Sequence, residues 1–238
     1  MKFNSFTALC KFATFYEATL PKGVEQLPDG TYKKTSSGLI RYALDPQMTK
    51  LHRIDGPASI SSNCKMWVVN GKAHRIGGPA IAGVDYEQWW VNGQLHRVDG
   101  PAIIESKRKE WWLNGQLHRI DGPAHISPGY EEWYVNGQLH RVDGPAVIEP
   151  KRKEWYVNGQ QHRIDGPAVI EPGREEWYVN DQRHRIGGPA VIEPGREEWF
   201  IEGVEFTEED YNNLMKKLST LTDASDKEAT IAAATMFD

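Results

Sequence analysis

The apolar residues of this chain come in short runs, and polar, Gly and Pro residues separate these runs. In segment 131–150 the run Trp-Tyr-Val is followed by Asn-Gly, and the run Ala-Val-Ile is preceded by Asp-Gly-Pro. β-Branched and aromatic residues favour strands, and Asn-Gly is the strongest short signal for a hairpin. Because Gly and Pro are frequent, a helix is excluded here. The pattern therefore predicts short antiparallel strands joined by turns.

The same segment recurs along most of the chain with a period of 22 residues and no insertion. The first column of the repeat consists of Trp67, Trp89, Trp111, Trp133, Trp155, Trp177 and Trp199. A second column consists of His52, His74, His96, His118, His140, His162 and His184, and Arg follows every one of these His residues. A fixed period without insertions indicates a repeat protein in which each unit contacts mainly its neighbours.

Two strand pairings within a unit are compatible with the pattern. In the first, Asn-Gly is a two-residue turn, so that Trp133 faces His140 and Tyr134 faces Leu139. In the second, one long loop runs from Asn-Gly to Gly-Pro and joins the strands Glu-Glu-Trp-Tyr-Val and Ala-Val-Ile-Glu. We favour the second because it gives two uninterrupted strands per unit. Both produce an antiparallel meander that advances roughly 10 Å per unit.

The fold class predicted is an all-β repeat protein: an elongated, twisted antiparallel β-meander of seven 22-residue hairpin units with a cap at each end. Residues 1–44 lack the repeat and predict an N-terminal cap of mixed structure. Residues 45–206 carry the repeats, and residues 207–238 are expected to form a C-terminal helix and tail. Repeat stacks need such caps because their terminal strands would otherwise pair with other chains.

The C-terminal segment carries the signals of a helix start. Thr207 precedes three acidic residues, which suits an N-cap followed by a negatively charged first turn. Tyr211, Leu214 and Leu218 then lie on one helical face, which predicts a capping helix over 208–219. Residues 222–238 are compatible with a tail, a short helix or an arm in an oligomer.

The repeat W-x-V-N-G-x-x-H-R-x-D-G-P-A resembles the MORN repeat, whose unit is a hairpin with an aromatic strand, an Asn-Gly and a following His-Gly. The resemblance covers residues 51–203, about two thirds of the chain. It departs from the family in having Arg after the His, and Asp-Gly-Pro-Ala where the family has Gly alone. It looks like the variant type abundant in large DNA viruses, phages and some bacteria. The resemblance implies a twisted antiparallel sheet, a scaffolding or partner-binding role and no catalytic residues.

This resemblance leads us to expect a non-enzymatic protein-binding or scaffold protein, encoded by a phage or virus, that engages and inhibits a host protein. Two alternatives stay open. Variant MORN proteins include antitoxins of bacterial toxin pairs, so an antitoxin or immunity protein is the first. A self-assembling structural protein, and hence a homo-oligomer, is the second. An antitoxin would abolish the activity of an enzyme in a stoichiometric complex, whereas a self-assembling protein would grow in mass with concentration.

Composition limits the kinds of partner and the cellular compartment that we expect for this chain. The net charge of −5 argues against nucleic acid as the main partner, because phosphate binding needs an excess of Lys and Arg. Two cysteines without a motif make a disulfide framework unexpected. No apolar run approaches ~20 residues and no signal peptide is recognised, so we expect no membrane insertion and a cytoplasmic location. Hydrophobic residues make up 39% of the chain, which predicts a thin core.

The His column is the first candidate to consider for a metal site. Neighbouring copies would lie roughly 10 Å apart, whereas Zn–N bonds are ~2 Å long, so one metal ion could not collect two of them. We therefore predict no metal, no cofactor and no catalytic residue. We expect each His to bond a neighbouring loop carbonyl or to pack on Trp. The Arg and Asp two residues apart, as in Arg141 and Asp143, are expected to pair and stiffen the loop.

The residue after each Trp is a candidate for partner binding. An invariant aromatic column suits internal stacking, whereas a variable column of large aromatics suits contact with a partner; burial by a cap or by sheet twist is the alternative. The candidates are Trp90, Trp112, Tyr134, Tyr156, Tyr178 and Phe200.

The turns between units are charged. Basic turns stand at 107–109 and 151–153, and acidic pairs at 175–176 and 197–198. These charges could dock an acidic partner or a lipid surface, or they could form a solvated edge that prevents sheet-to-sheet aggregation.

Overall fold

Short strands and turns predominate in the computed structural model, which describes residues 19–235. These residues divide into two compact units, with the boundary between Lys72 and Ala73. The strands up to and including the one at this boundary are β1 (Val24–Gln26), β2 (Tyr32–Ser36), β3 (Leu39–Ala43), β4 (Ser59–Ile60), β5 (Cys64–Met66), β6 (Val68–Val69) and β7 (Lys72–Ala73).

In the first unit, β1 to β5 pair in chain order as an antiparallel ladder. The segment 1–44, predicted as a cap of mixed structure, contributes β1, β2 and β3 to this ladder, while residues 1–18 lie outside the described residues. The pairing of Ile40 with Ile60 joins this segment to the first repeat.

The second unit continues with strands and ends in two helices. Its first strands are β8 (Ile81–Gly83), β9 (Tyr86–Gln88), β10 (Trp90–Val91), β11 (Gln94–Leu95), β12 (Ile103–Glu105), β13 (Lys109–Glu110), β14 (Trp112–Leu113), β15 (Gln116–Leu117), β16 (His125–Ser127), β17 (Tyr130–Glu132), β18 (Tyr134–Val135) and β19 (Gln138–Leu139). The remaining elements are β20 (Val147–Ile148), β21 (Lys153–Glu154), β22 (Tyr156–Val157), β23 (Gln160–Gln161), β24 (Val169–Glu171), β25 (Arg174–Glu176), β26 (Tyr178–Val179), β27 (Gln182–Arg183), β28 (Val191–Glu193), β29 (Arg196–Ile201), β30 (Val204–Phe206), α1 (Glu208–Ser219) and α2 (Ala224–Thr235).

Each repeat combines the two strand pairings that the sequence left open, so the preference for one long loop was wrong. Tyr134 pairs with Leu139 across the Asn-Gly turn, and Glu132 pairs with Val147 in a separate antiparallel ladder. Two successive positive φ values, 51° at Asn136 and 76° at Gly137, close the turn in the form that matches strand twist. The chain therefore enters the hairpin directly after Trp133 instead of crossing an open loop.

The core of the second unit is thin, as its composition predicted. The Ala after each Gly-Pro is fully buried, and the Val after it is buried in β20, β24 and β28. A column of Ala and Val fills only a narrow space, so backbone pairing between neighbouring strands carries much of the cohesion. Larger side chains gather at the C-terminal end, where Ile201 packs with Tyr211, Leu214 and Leu218.

Helix α1 covers the residues that the sequence predicted, 208–219. Thr207 is its N-cap and accepts the N–H of Asp210 at 3.1 Å. Tyr211, Leu214 and Leu218 are its buried face, against β29 and β30. Of the three options for residues 222–238, α2 shows a short helix over 224–235; residues 236–238 lie outside the described residues. The predicted antiparallel hairpin meander with a C-terminal helix is thus confirmed.

Candidate functional site

The loop after each hairpin is organised around the Arg that follows the His. The guanidinium carbon of Arg141 lies 4.0 Å above the centre of the Trp133 ring. Its Nε donates to Oδ1 of Asp143 at 2.8 Å, and Nη1 donates to the carbonyl of Pro145 at 3.2 Å. The same set of contacts recurs around Arg97, Arg119 and Arg163. The predicted Arg–Asp pair is confirmed, and Trp is the third partner of the Arg.

This stack explains the Gly of Asp-Gly-Pro. A Cβ added at Gly144 would lie 3.0 Å from the guanidinium carbon of Arg141. Since this distance is shorter than nine in ten Cβ contacts, a side chain here would force the Arg141 guanidinium to shift by a few tenths of an ångström. The corresponding distances lie between 2.8 and 3.2 Å at Gly56, Gly78, Gly100, Gly122, Gly166 and Gly188. The loop sequence is therefore dictated by the flat guanidinium it encloses.

Two loops depart from this pattern, because Gly77 and Gly187 replace the Asp. Both Gly residues have a positive φ, 74° and 92°, a conformation that favours Gly, and α1 docks on the second of these loops. The hydroxyl of Tyr211 accepts the N–H groups of Gly187 and Gly188 at 2.7 and 3.1 Å, and it donates to the carbonyl of Arg185 at 2.9 Å. The backbone of this loop thus attaches the helix through the Tyr211 hydroxyl.

Each column His joins one hairpin to the next, but not through the expected carbonyl. Nδ1 of His140 accepts the backbone N–H of Asn158, 18 residues on, at 3.1 Å. The same bond recurs at His52, His74, His96, His118, His162 and His184, with lengths between 3.0 and 3.4 Å. At His96, His140 and His162 the same Nδ1 also lies 2.8–2.9 Å from the side-chain Oδ1 of that Asn, a contact that a ring protonated on Nδ1 would make instead. The column holds the next Asn-Gly turn in place.

Two backbone bonds reinforce this link. The N–H of Arg141 donates to the carbonyl of Tyr156 at 2.9 Å, and the N–H of Gly159 donates to the carbonyl of Leu139 at 2.8 Å. These two backbone bonds and the His140 bond connect each hairpin to the next one by three hydrogen bonds. The repeated residues His and Asn-Gly are therefore largely accounted for by structure.

One column of the repeat consists of apolar side chains that are largely exposed. The residue between the Arg and the Asp is always Ile or Val, and its side chain points to solvent. The exposed fractions are 83% at Ile54, 75% at Ile76, 83% at Val98, 84% at Ile120, 81% at Val142, 83% at Ile164 and 51% at Ile186. In the second unit these loops lie along the edge opposite the tight ladder turns. A recurring exposed apolar side chain is characteristic of an interaction surface.

Sequence reasoning missed this exposed column, although the signal was present. An apolar residue stands between Arg and Asp or Gly in every repeat. β-Branched residues indicate strands by default, and the loop around them drew attention to the charged pair. A residue that is always apolar inside an otherwise polar loop is the observation that would have identified it.

The aromatic residues predicted to bind a partner, Trp90, Trp112, Tyr134, Tyr156, Tyr178 and Phe200, are all half-buried. Except at Phe200, their polar ends contact the acidic or amide residue two positions earlier, as when the Tyr156 hydroxyl donates to Glu154 at 2.8 Å. Burial raises the pKa of Tyr134 and of Tyr156 to about 12. The row therefore forms a polar-capped face of the repeats, and its role in binding stays a prediction.

Carboxylates on the ladder strands are paired with nearby Arg residues. Glu176 is buried and lies 3.0 Å from Arg174 and 3.3 Å from Arg183. Glu154 pairs with Arg152 at 2.7 Å. Arg152, in the charged turn at 151–153, is thus used internally. The eighth His, His125, stands apart from the column beside Glu110, 3.2 Å away.

Two shallow grooves border the exposed column. In the second unit, a groove of about 520 Å³ is lined among others by Ile164, Asp165, Trp177, Arg185 and Ile186. In the first unit, a groove of about 300 Å³ is lined by residues that include Tyr42, Arg53, Ile54 and Asp55. Both grooves have the same ingredients: an aromatic ring, the stacked Arg and the exposed aliphatic residue.

Within residues 19–235, no three His, Cys, Asp or Glu side chains are grouped so that they could hold a metal ion. No helix in that part of the chain is long and apolar enough to span a membrane.

Comparison with known proteins gave no match to any family model, curated protein or solved structure. The resemblance to MORN repeats therefore stays a prediction based on the repeat sequence.

Proposed function

We propose that this chain is a non-enzymatic binding protein whose repeated loops present a regular surface to a protein partner. The observation that carries the proposal is the column of exposed Ile and Val residues. Polar residues would serve equally well at these positions if only the fold mattered, because the side chains contact little of their own chain. Exposed apolar side chains repeated at one position, roughly 10 Å apart by strand spacing, suit the core of an interface.

The surroundings of this column support a protein partner. In five of the seven repeats the aliphatic side chain is next to an Arg whose charge is balanced by Asp, so most of this surface alternates apolar and neutralised polar groups. Such an alternation is typical of protein interfaces, whereas nucleic acid would require an excess of uncompensated cations.

A pulldown with three purified baits tests the proposal. The baits are the wild type, an edge variant carrying Val98→Asp, Ile120→Asp and Val142→Asp, and the control Val84→Asp. Val84 is 74% exposed and lies in the tight turn between β8 and β9, so it matches the exposed column in chemistry but not in position. Captured proteins from the natural host cell are identified by mass spectrometry, and light scattering measures the mass of the baits alone.

We expect one protein in fixed ratio with the wild type and the Val84→Asp control, and its loss from the edge variant. If that partner is an enzyme whose activity the complex abolishes, the antitoxin or inhibitor role is favoured over the scaffold role. Absence of any partner, together with a mass that grows with concentration, would contradict the proposal and leave the self-assembling structural protein.

A further inference from the structure

The groove lined by Ile164, Trp177 and Arg185 contains an Arg whose loop, like that of Arg75, has Gly in place of the Asp. In five repeats, Nε of the stacked Arg donates to Oδ1 of the Asp two residues later, at 2.8–2.9 Å. These pairs show, within one molecule, how the loop holds a carboxylate against the guanidinium. The carboxylates are 77–84% exposed, so the position they occupy is open to solvent.

Arg185 has the same orientation without the carboxylate. Its guanidinium carbon lies 3.7 Å above the Trp177 ring, and Nη1 donates to the carbonyl of Pro189 at 2.9 Å. Gly187 stands where the Asp would be, and among residues 19–235 no carboxylate contacts Arg185. An Asp would not favour the φ of 92° at Gly187, whose N–H donates to the Tyr211 hydroxyl.

The groove around Arg185 supplies the other parts of a peptide site. Its volume is about 520 Å³, and Ile164 and Ile186 border it with exposed fractions of 83% and 51%. Arg163, which also lines it, is already paired with Asp165 at 2.8 Å. The groove therefore carries one uncompensated positive charge between two aliphatic side chains.

We propose that this groove binds an acidic side chain of a protein partner, with the carboxylate on Nε of Arg185 and an aliphatic neighbour against Ile164 or Ile186. This inference rests on the proposed protein-binding function and locates one anchor of it. Guanidinium–carboxylate hydrogen bonds are charge-assisted and directional, and Arg185 is already held in place by Trp177 and Pro189. The Arg185 side chain therefore does not have to change its position to donate a hydrogen bond to the carboxylate.

The test is a titration of the purified full chain, labelled with ¹⁵N-arginine, with two matched peptides. The first is acetyl-Ile-Glu-Ile-amide, and the second is acetyl-Ile-Gln-Ile-amide, which has the same shape without the charge. Nuclear magnetic resonance follows the Nε–H signal of Arg185, assigned with Arg185→Lys. We expect this signal to shift with the Glu peptide at concentrations at least tenfold lower than with the Gln peptide. Equal responses to both peptides, no response, or a response to inorganic phosphate alone would overturn the proposal.

Two variants at Gly187 distinguish the effect of an added carboxylate from the effect of a strained backbone. Gly187→Asp supplies the carboxylate that the other repeats have, and Gly187→Ala imposes the same backbone cost without the charge. We expect the Glu peptide to bind at least tenfold more weakly to Gly187→Asp than to Gly187→Ala. Equal affinities would overturn the proposal.

If both Gly187 substitutions detach α1, a third variant still tests the proposal in another loop. Asp165→Gly removes the carboxylate from Arg163 in a loop that Tyr211 does not contact, and it should add a second responding arginine signal. An unresponsive Arg163 would overturn the proposal. The titration uses defined peptides, so its result does not depend on a cellular partner. If the chain binds the Glu peptide but captures no cellular protein, the proposed function is refuted while the peptide site is supported.

Discussion

The Arg after each column His links the parts of a repeat through one side chain. Arg141 stacks on Trp133, pairs with Asp143 and reaches the carbonyl of Pro145. Cation–π contacts of a partly desolvated Arg contribute about 1–2 kcal/mol, and its hydrogen bonds fix the loop. The invariant Arg, Trp and Gly are therefore understood as one interlocking unit.

A substitution at Gly144 tests this unit. Gly144→Ala places a methyl group 3.0 Å from the guanidinium carbon of Arg141, and overpacking of this kind costs about 1–3 kcal/mol. Gly144 does not have a positive φ, so the cost is steric. Urea unfolding of the single variants and of the Arg141→Ala, Gly144→Ala double variant measures the coupling. We expect the Ala to cost less when Arg141 is absent; an equal cost in both backgrounds would refute the stack.

The last His of the column, His184, makes stability depend on pH. Burial lowers the pKa of His184 below its usual value of 6.5, and its Nδ1 accepts the N–H of Glu202 at 3.2 Å. The unfolded chain then binds the proton first, so the contribution of His184 is complete above about pH 6.5 and is lost as pH falls below that value. Unfolding free energies measured from about pH 7.5 to about pH 5 should fall less steeply in His184→Gln than in the wild type. Identical slopes would contradict the burial of a neutral His184 ring.

Residue-scale prediction succeeded where the partners are close in sequence. Arg141 and Asp143 are two residues apart, and their pairing follows from that spacing. The partner of His140 lies 18 residues away, and only the packing of one hairpin on the next brings the Asn158 amide to it. The exposure of Val142 depends on the direction of the loop, which apolar patterning does not encode.

At the scale of elements, each repeat contains a tight hairpin and a pair of ladder strands. The hairpin depends on two positive φ values, which Asn-Gly adopts at low cost. Sequence patterning identified both strand pairings but treated them as exclusive, because it did not consider a change of partner at Trp133. Helix α1 was predicted with its bounds because its cap and its buried face are local signals.

The last hairpin has an unfavourable turn residue. Glu202 has a φ of 52° where most repeats have Asn. Because a left-handed conformation costs roughly 1–2 kcal/mol for most residues and less for Asn, Glu202→Asn should stabilise the chain by up to about 1 kcal/mol. The reverse change at an equivalent site, Asn158→Glu, should destabilise it. Thermal unfolding compares the two, and a loss of stability in Glu202→Asn would contradict the turn assignment.

The attachment of α1 depends on one hydroxyl. Tyr211→Phe removes the acceptor of the Gly187 and Gly188 N–H groups and the donor to Arg185, at a position that is 2% exposed. Leaving buried polar groups unpaired costs about 1–3 kcal/mol. Hydrogen exchange should show faster exchange at Gly187 and Gly188 and an unchanged rate at Gly144. Unchanged protection at all three would refute the docking role of Tyr211.

At the scale of the molecule, the repeated contacts account for most invariant residues and leave the exposed aliphatic column unexplained by folding. Trp, Arg, Gly, Ala and His are each used inside the repeat or between neighbours. The antiparallel hairpin repeat follows from sequence alone because its period, turns and strands are local. The surface proposed to bind a partner cannot be predicted in this way, because the exposure of its side chains depends on how the loops are folded.

The most direct test of the binding account is hydroxyl-radical footprinting of the purified protein with and without its captured partner, read out residue by residue. The account predicts that oxidation of Val98, Ile120 and Val142 falls several-fold in the complex, while Val84 in the opposite turn is oxidised at an unchanged rate. Protection confined to Trp90, Trp112 and Tyr134, with the Ile and Val column still fully reactive, would contradict it and assign binding to the aromatic face.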